Sequence, residues 1–328
     1  MSVCPITTDV ELAANTLRQG RLVAFSTETV YGLGANALDA KAVARVFDAK
    51  NRPHFDPLIV HIADPKWLPE LVAEVSSLAE KLMEAFWPGP LTLVLPKTDR
   101  VPDLVTSGLP SVAVRMPSHP QARELLFKVD LPIAAPSANP FGQLSPTTAE
   151  HVAATLGERI DLILDGGPCD VGVESTVLLV TENPPRLLRH GGVTQEQIEE
   201  IIGRVELAPG PTENSESASE SVPSPGMLPQ HYAPRTPLAL AGDVDLASLV
   251  RTGKRLGAVS LLGVDEASHF VQQEILAPNG DLTTAAADFF AALRRLDSGE
   301  LDQIVAWPFP DKGLGRALND RLKRACHS

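Results

Sequence analysis

The chain has 328 residues, 44% of them hydrophobic and 21% charged, with a formal net charge of −13 and a pI near 5.1. This length suffices for two domains with separate cores. The acidic balance disfavours binding of nucleic acid through its phosphates, although a local basic pocket for a small anion is compatible with it. No apolar run reaches the roughly 20 residues that cross a membrane, and neither a signal peptide nor a paired cysteine motif is evident, so we expect a cytoplasmic protein that contacts no membrane.

The first strand, turn and helix of the chain have the components of an anion site. Residues 21–25, RLVAF, predict a strand, and the hydroxyl- and glycine-rich turn after it precedes a helix over residues 39–50 with Asp39 as N-cap. Lys50 and Arg52 follow two positions apart where the helix ends, so they can face one side, and we expect both at the surface of a pocket. Alternatively, the two cations only oppose the helix dipole and the glycines only form a turn.

The chain that follows predicts a mixed sheet. Further strands are expected at residues 57–63, 91–97, 111–117 and 131–139, and in LILDGG, VESTVLLV and PRLLRHG. Helices are expected between several of them, including residues 148–157, which Thr147 is expected to start, and residues 194–202. Because strands alternate with helices in places and follow one another directly in others, we predict an α/β domain with a twisted mixed sheet and flanking helices.

The composition changes abruptly after Val205. Residues 206–226 contain four Glu, no Lys or Arg, and almost nothing to bury, which is typical of a linker. We therefore divide the chain into a first domain of residues 1–205, a Pro-, Ser- and Glu-rich linker of residues 206–236, and a small α/β domain of residues 237–328. The last domain shows no catalytic constellation.

Polar side chains stand at several predicted strand ends of the first domain. Ser137 and Asn139 lie two apart at the end of APSAN, and the following proline favours an extended backbone that keeps both on one side. Ser175 begins another strand, and Arg189 ends the next. A purely local explanation is also open, because Ser and Asn commonly cap turns at strand ends.

Nine segments of the chain together resemble the YrdC-like family, in the long two-domain form of the threonylcarbamoyl-AMP synthases. They occur in the family order and, apart from the last, lie within residues 20–192: STETVYGLGAN, KNRPHFDPLIVHI, WPGPLTLVLP, VAVRMP, APSAN, SPTT, ESTV, RHG and HYAP. The acidic linker and the small C-terminal domain are similar to the long form. The resemblance implies a YrdC-like twisted sheet followed by a Rossmann-like α/β domain.

The same resemblance implies a nucleotidyltransferase. L-threonine, bicarbonate and ATP would give threonylcarbamoyl-AMP and pyrophosphate, the first step of threonylcarbamoyladenosine formation in tRNA, and the product would pass to the tRNA threonylcarbamoyl-transferase machinery. Mg²⁺ is expected with ATP, although no metal-ligand cluster is evident in the sequence. Rival hypotheses are a noncatalytic RNA-binding or ribosome-maturation module, which the net charge disfavours, and carbamoyl transfer to a protein cysteine, which normally requires modules that this chain lacks.

The family's functional positions fall on residues spread over the whole first domain and the linker. The catalytic tetrad falls on Lys50, Arg52, Ser137 and Asn139. The L-threonine contacts fall on Thr29, His61, Arg115, Ser137 and Ser175. The nucleotide contacts fall on Lys50, Arg52, Asp56, Ser111, Asn139, Thr147 and Arg189, with His231 or Tyr232 from the linker. Because the end of the linker carries apolar and aromatic side chains between prolines, we expect it to close over the nucleotide as a lid.

Overall fold

The computed structural model describes residues 4–208, 232–265 and 267–326. Within these ranges the chain forms an 11-stranded sheet followed by a separate 4-stranded sheet, each with helices packed on it. None of the helices in these ranges combines the length and the apolar character that crossing a bilayer requires. The prediction of an α/β fold with a second, smaller α/β domain is confirmed.

The first domain contains eleven strands and eight α-helices among its described residues. The strands are β1 Ile6–Thr7, β2 Val23–Phe25, β3 Gly32–Asn36, β4 Ile59–His61, β5 Leu91–Pro96, β6 Ser111–Arg115, β7 Ile133–Ala134, β8 Leu162–Leu164, β9 Thr176–Leu179, β10 Arg186–Arg189 and β11 Glu206–Leu207. The helices are α1 Val10–Arg18, α2 Ala40–Lys50, α3 Leu68–Leu71, α4 Ser77–Phe86, α5 Asp103–Thr106, α6 Pro120–Val129, α7 Ala149–Leu156 and α8 Gln195–Ile202.

The sheet of the first domain is mixed, in the order β1-β8-β2-β3-β7-β4-β6-β5-β9-β10-β11. Strand β2 pairs parallel with β8 and antiparallel with β3, and β4 pairs parallel with β6 and antiparallel with β7. Alternate residues of the β2 segment enter different clusters: Val23 and Phe25 pack with α1 and α6, whereas Leu22 and Ala24 pack with α2 and α7. Because successive side chains of a strand point to opposite faces, helices cover both faces of this sheet.

Helix α2 forms for the reasons that the sequence indicates. The Asp39 side chain accepts a hydrogen bond from the Lys41 amide at 2.9 Å, and Val43, Val46 and Phe47 are buried on one face. Asn51 ends the helix in a left-handed conformation with φ 52°. The helix therefore delivers Lys50 into the interior of the domain, with Arg52 just beyond the cap.

Helix α7 begins one residue later than predicted. Its N-cap is Thr148, whose hydroxyl accepts from the His151 amide at 3.3 Å, rather than Thr147. Both residues are threonines, so the sequence does not distinguish them, and the extended backbone of Thr148 decides the cap. Thr147 is left as a buried residue of the preceding loop.

The second domain is a small parallel sheet with helices. Its strands are β12 Leu238–Leu240, β13 Leu256–Ser260, β14 Gln272–Ile275 and β15 Gln303–Ala306. Its helices are α9 Leu246–Arg251, α10 Leu282–Asp297 and α11 Leu314–Cys326. All pairings in the order β12-β15-β13-β14 are parallel, as expected for a Rossmann-like unit whose strands are joined by crossovers.

The sequence predicts a linker over residues 206–236, but both ends of this segment are bonded to the first domain. Strand β11 pairs parallel with β10, so the first sheet extends beyond the predicted boundary at Val205. Residues 209–231 lie outside the described residues. Beyond them Tyr232 is buried, and the Ala233 amide donates to the Gly142 carbonyl at 2.8 Å. The end of the predicted linker is therefore attached to the first domain.

One hydrophobic cluster crosses from the first domain to the second. Val30, Leu144 and Val173 of the first domain pack with Tyr232 and with apolar residues of α10. All of these residues are almost completely buried. The two domains thus share a core, and burial of this apolar surface stabilises their docked arrangement.

Candidate active site

A cavity opens where several strands of the first sheet end. Eight of the predicted site residues line it: Thr29, Arg52, His61, Arg115, Ser137, Ser175, Arg189 and Tyr232. They come from the turn after β2, from the segment after α2, from β4, β6 and β10, from the segments after β7 and before β9, and from the linker. Residues more than 200 positions apart in sequence therefore meet in one concave site, which is the usual form of a small-molecule pocket.

Arg115, at the end of β6, is the best-anchored cation of the cavity. Its Nη2 forms an ion pair with Glu28 Oε1 at 2.6 Å, its Nε donates to the Gly89 carbonyl at 3.2 Å, and its Nη1 donates to Thr29 Oγ1 at 2.8 Å. Burial by itself would raise the pKa of Glu28, but the charge of Arg115, the hydrogen bond from Arg115 and hydrogen bonds from backbone amides together outweigh burial and hold that pKa below its ordinary value. The guanidinium is thus fixed by a carboxylate on one side and by a hydroxyl on the cavity side.

The hydroxyl groups beside Arg115 have a defined direction. Thr27 Oγ1 lies 2.6 Å from the Val30 carbonyl, which can only accept, and 2.8 Å from Thr29 Oγ1. Thr27 therefore donates to Val30, and Thr29 donates to Thr27 while it accepts from Arg115. Thr29, which lines the cavity, thus retains a lone pair that can accept a hydrogen bond, next to a guanidinium that favours an anion.

His61 and Ser175 add a neutral base and a hydroxyl to the wall. Burial lowers the pKa of His61 to about 3, with the Arg115 charge acting in the same direction, so the imidazole is neutral at physiological pH. Ser175 Oγ lies 2.7 Å from Thr92 Oγ1 and accepts from Arg189 Nη2 at 3.2 Å. Arg189 also donates from Nε and Nη2 to the Ser175 carbonyl. This arginine orients the serine that the sequence assigns to the site.

Arg52 lines the cavity, and two backbone carbonyls and a carboxylate hold its guanidinium in place. Its Nε and Nη2 donate to the carbonyls of Asp56 and Pro57 at 3.1 and 2.8 Å, and Nη2 pairs with Asp56 Oδ2 at 2.9 Å. Asp56 has no exposed surface and does not line the cavity. Asp56, which the resemblance places among the nucleotide contacts, is thus the ion-pair partner of Arg52. This pairing explains why a carboxylate lies so close to the predicted anion site.

Lys50 is buried beneath the cavity and does not line it, contrary to our expectation of a pocket-surface cation. Its Nζ donates to the Ser137 carbonyl at 2.5 Å and to the Asn139 carbonyl. Burial lowers the pKa of Lys50 well below its ordinary value, and the charge of Arg52 acts in the same direction. The ammonium therefore supports the backbone of the segment that carries Ser137 and Asn139.

Only Ser137 of the pair Ser137 and Asn139 lines the cavity, although the sequence predicts an extended backbone that keeps both side chains on one side. Ser137 lines the cavity, next to Gly32 on β3. Asn139 is fully buried, and its Nδ2 donates to the carbonyls of Pro140 and Gln143 at 2.9 and 2.8 Å, so it ties down the following turn. Its Oδ1 is buried and has no hydrogen-bond partner within the described part of the chain.

Tyr232 closes one side of the cavity from the far end of the linker. The ring is 1% exposed, and its centroid lies 5.6 Å from that of Phe290 on α10. His231, the other predicted linker contact, lies outside the described residues. The position of Tyr232 agrees with the expected lid, while contact with a ligand stays a prediction.

Comparison with known proteins identifies the family. A family model described as "Telomere recombination", of the Sua5, YciO and YrdC proteins, matches residues 15–191. A second one, described as "Threonylcarbamoyl-AMP synthase, C-terminal domain", matches residues 193–326. The threonylcarbamoyl-AMP synthase of Pyrococcus abyssi is 44% identical over 326 residues, which cover 96% of this chain and 93% of the relative. The chain belongs to the threonylcarbamoyl-AMP synthase family.

A second relative and a solved structure extend this similarity. The Bacillus subtilis threonylcarbamoyl-AMP synthase is 46% identical over 323 residues, which cover 95% of this chain and 91% of the relative. The crystal structure of Pyrococcus abyssi Sua5 complexed with L-threonine superposes with a TM-score of 0.89 at 41% identity, covering 99% of this chain and 98% of that one. The two-domain architecture is therefore common to this chain and these relatives.

Besides Lys50, Asp56 and Asn139, two further family positions lie away from the cavity wall. Ser111 begins β6 and pairs with Pro96 of β5, at the other end of the strand from Arg115. Thr147 is buried with its hydroxyl 3.4 Å from His151 Nδ1, in the loop before α7. Their assignment to the nucleotide stays a prediction.

Two carboxylates of the site were missed in the sequence. Glu28 pairs with Arg115, and Glu174 lines the cavity while it accepts from Ser145 Oγ at 2.5 Å and from Arg321 Nε at 3.0 Å. Both lie inside matching motifs, STETVYGLGAN and ESTV, directly beside predicted site residues. The available signal was their charge within otherwise apolar, buried segments, because a buried carboxylate requires a partner.

Proposed function

We propose that this chain synthesises L-threonylcarbamoyl-AMP and pyrophosphate from L-threonine, bicarbonate and ATP. The observation that carries the proposal is that Arg115, Thr29 and Ser175 line the same cavity as Arg52 and Tyr232, in a chain of the threonylcarbamoyl-AMP synthase family. One group of residues suits an amino acid and the other suits a nucleotide. Their presence in one cavity suits a reaction that joins the two.

The reaction needs two bond-forming steps. The amine of L-threonine attacks the carbon of bicarbonate, and loss of water gives a carbamate. A carbamate oxygen then attacks the α-phosphorus of ATP, and the bond from that phosphorus to the bridging oxygen breaks, so that pyrophosphate leaves with the electron pair. Such transfers depend mainly on positioning and on charge neutralisation, because the protein need not form a covalent intermediate.

The amino-acid half of the cavity suits L-threonine. Arg115 would bind the substrate carboxylate, since its charge is only partly balanced on the cavity side. Thr29 offers an acceptor to the substrate nitrogen, and neutral His61 can accept or donate without adding charge. Ser175, held by Arg189, would help to orient the substrate.

The nucleotide half of the cavity offers preorganised cations. Arg52 is held by two carbonyls and by Asp56, so its guanidinium loses little freedom when phosphate oxygens bind. Ser137 also lines the cavity and would donate to the carbamate or to the α-phosphate. Lys50 contributes by fixing the backbone of the Ser137–Asn139 segment.

Mg²⁺ enters this proposal with ATP. The described residues contain no group of three or more His, Cys, Asp or Glu side chains able to hold a metal ion. The carboxylates nearest the cavity, Glu28, Asp56 and Glu174, are engaged with Arg115, Arg52 and Arg321. These residues do not fit a dedicated metal site, so the ion would be held by phosphate oxygens and water.

The proposed reaction belongs at the start of a tRNA modification. Its product is a mixed anhydride that hydrolyses readily, so a separate tRNA threonylcarbamoyl-transferase machinery must consume it soon after synthesis. We infer that this happens in the cytoplasm, where all three substrates occur. The free thiols of Cys4, Cys169 and Cys326 suit such a reducing compartment.

A substrate-omission assay tests the proposal. The full-length chain is incubated with Mg²⁺, ATP, L-threonine and labelled bicarbonate, and both the labelled adenylate and pyrophosphate are quantified. We expect equimolar products, and neither of them when L-threonine or bicarbonate is omitted. ATP turnover at the same rate without L-threonine would contradict the proposal.

A further inference from the structure

Arg321 is a fully buried arginine on α11 of the second domain, and it contacts the first domain directly. Its side chain has 0% exposure. Nε donates to Glu174 Oε2 at 3.0 Å, and Nη1 donates to the His190 carbonyl at 2.7 Å. Nη1 also meets the neighbouring carboxylate of Asp320 at 3.1 Å. A residue of the second domain is therefore bonded to a carboxylate on the cavity wall.

The same guanidinium lies against the lid residue. Arg321 Cζ lies 5.4 Å from the centroid of the Tyr232 ring, in the geometry of a cation–π contact. Tyr232 also packs on Phe290, so its ring lies between two elements of the second domain, α10 and α11. The position of this ring at the cavity thus depends on the second domain.

Arg321 joins two walls of the cavity that belong to different halves of the proposed reaction. Glu174 directly precedes Ser175, the serine assigned to the amino-acid half, and Tyr232 closes the nucleotide half. A buried ion pair rarely adds stability beyond what apolar residues of similar volume would give, because both charges lose their hydration. Stability alone is therefore a weak reason for an arginine at this position. The guanidinium has several donors in a fixed plane, so it can orient Glu174 and Tyr232 at the same time.

We propose that Arg321 is a positioning residue that couples the two halves of the active site, an inference that rests on the proposed function. It holds Glu174 and Ser175 on one side and Tyr232 on the other in a single arrangement. A nucleotide that orders Tyr232 then also orders the Ser175 wall, so each substrate raises the affinity for the other. Such coupling is reciprocal by thermodynamic necessity.

Arg321→Lys is the central variant, because it keeps the charge but loses the planar set of donors. The matched control is Arg316→Met on the same helix. Arg316 Nη1 pairs with Glu196 Oε1 at 2.7 Å, so this control also removes an ion pair between the domains, but one that does not line the cavity. Thermal unfolding of the full-length variants measures the stability that each change costs.

L-threonine binding is titrated calorimetrically, with and without a non-hydrolysable ATP analogue and Mg²⁺. For the unmodified chain and for Arg316→Met we expect the analogue to tighten L-threonine binding about tenfold, a usual size for coupling between sites. For Arg321→Lys we expect this factor to fall to nearly one. The double variant Glu174→Gln with Arg321→Met removes both buried charges and should lose the coupling in the same way, should Arg321→Lys fail to fold.

Equal coupling in Arg321→Lys and the unmodified chain would overturn the inference. So would loss of coupling in Arg316→Met to the same extent, because that result would assign the effect to domain docking in general. If the unmodified chain binds neither L-threonine nor the analogue, the proposed function fails and the inference fails with it. If it binds both without coupling, only the inference fails.

Discussion

The neutral state of His61 predicts a specific pH dependence of stability. Burial lowers the pKa of His61 from 6.5 to about 3 in the folded chain. Below pH 6.5 the unfolded chain therefore takes up a proton that the folded chain does not bind until about pH 3. Because the unfolded state then binds more protons, the free energy of unfolding falls as the pH falls through this window.

The magnitude follows from the size of the window. Each pH unit inside it lowers the free energy of unfolding by about 1.4 kcal/mol for one such group. Between pH 6.5 and pH 5.0 this amounts to about 2 kcal/mol. A His61→Gln variant has no proton to gain at this position, so its stability should fall by about 2 kcal/mol less over the same range.

Urea unfolding of both proteins, followed by tryptophan fluorescence at pH 7.5 and pH 5.0, measures this difference. His151 and His190, whose pKa values burial also lowers, contribute equally to both proteins and cancel. As a control, His269→Gln removes an exposed imidazole of the second domain and should retain the acid sensitivity of the unmodified chain. An identical loss of stability in His61→Gln and the unmodified chain would refute the reasoning.

Four further predictions follow from the site. Arg52→Ala should abolish synthesis and also lower the free energy of unfolding by about 3–5 kcal/mol, because it breaks a buried ion pair by removing the guanidinium that contacts Asp56; urea unfolding measures this. Ser137→Ala should depress adenylate synthesis by at least tenfold, equivalent to about 1.4 kcal/mol, while the thermal transition moves little. Truncation after Ala208, which keeps β11, should leave a folded first domain with strongly reduced synthesis, and Tyr232→Ala should reproduce much of that loss. Bare tRNA should bind weakly at physiological salt in a filter-binding assay, because an acidic surface neutralises few phosphates.

Each of these has an outcome that contradicts it. Full stability of Arg52→Ala would show that Asp56 finds another way to balance its charge. Ser298→Ala, a change on an exposed helix end, is the control for Ser137→Ala and should retain full synthesis. A truncated domain that makes the adenylate at the full-length rate would end the lid hypothesis. A submicromolar, salt-sensitive complex with tRNA would revive the RNA-binding hypothesis.

The sequence by itself determines the elements and the class of the site. The cap at Asp39, the apolar face of α2 and the buried runs of β5 and β6 depend on near neighbours in the chain, so their patterns are legible without a structure. The motif order identifies the family, and it selects Arg115 and Ser175, which do line the cavity. The sequence also indicates that the end of the linker differs from a simple spacer, because an aromatic side chain lies there between prolines.

Only the tertiary structure decides the partner of each buried charge. Lys50 meets carbonyls 87 and 89 positions away, and Arg321 meets a carboxylate 147 positions away. Local patterns cannot specify such pairs, because they depend on which segments the whole sheet and the docked second domain bring together. A charge near a pocket can either contact the ligand or support the residue that does, and the sequence is the same in both cases. The cost of burying an unpaired charge makes every such partner necessary, and the fold alone determines which one it is.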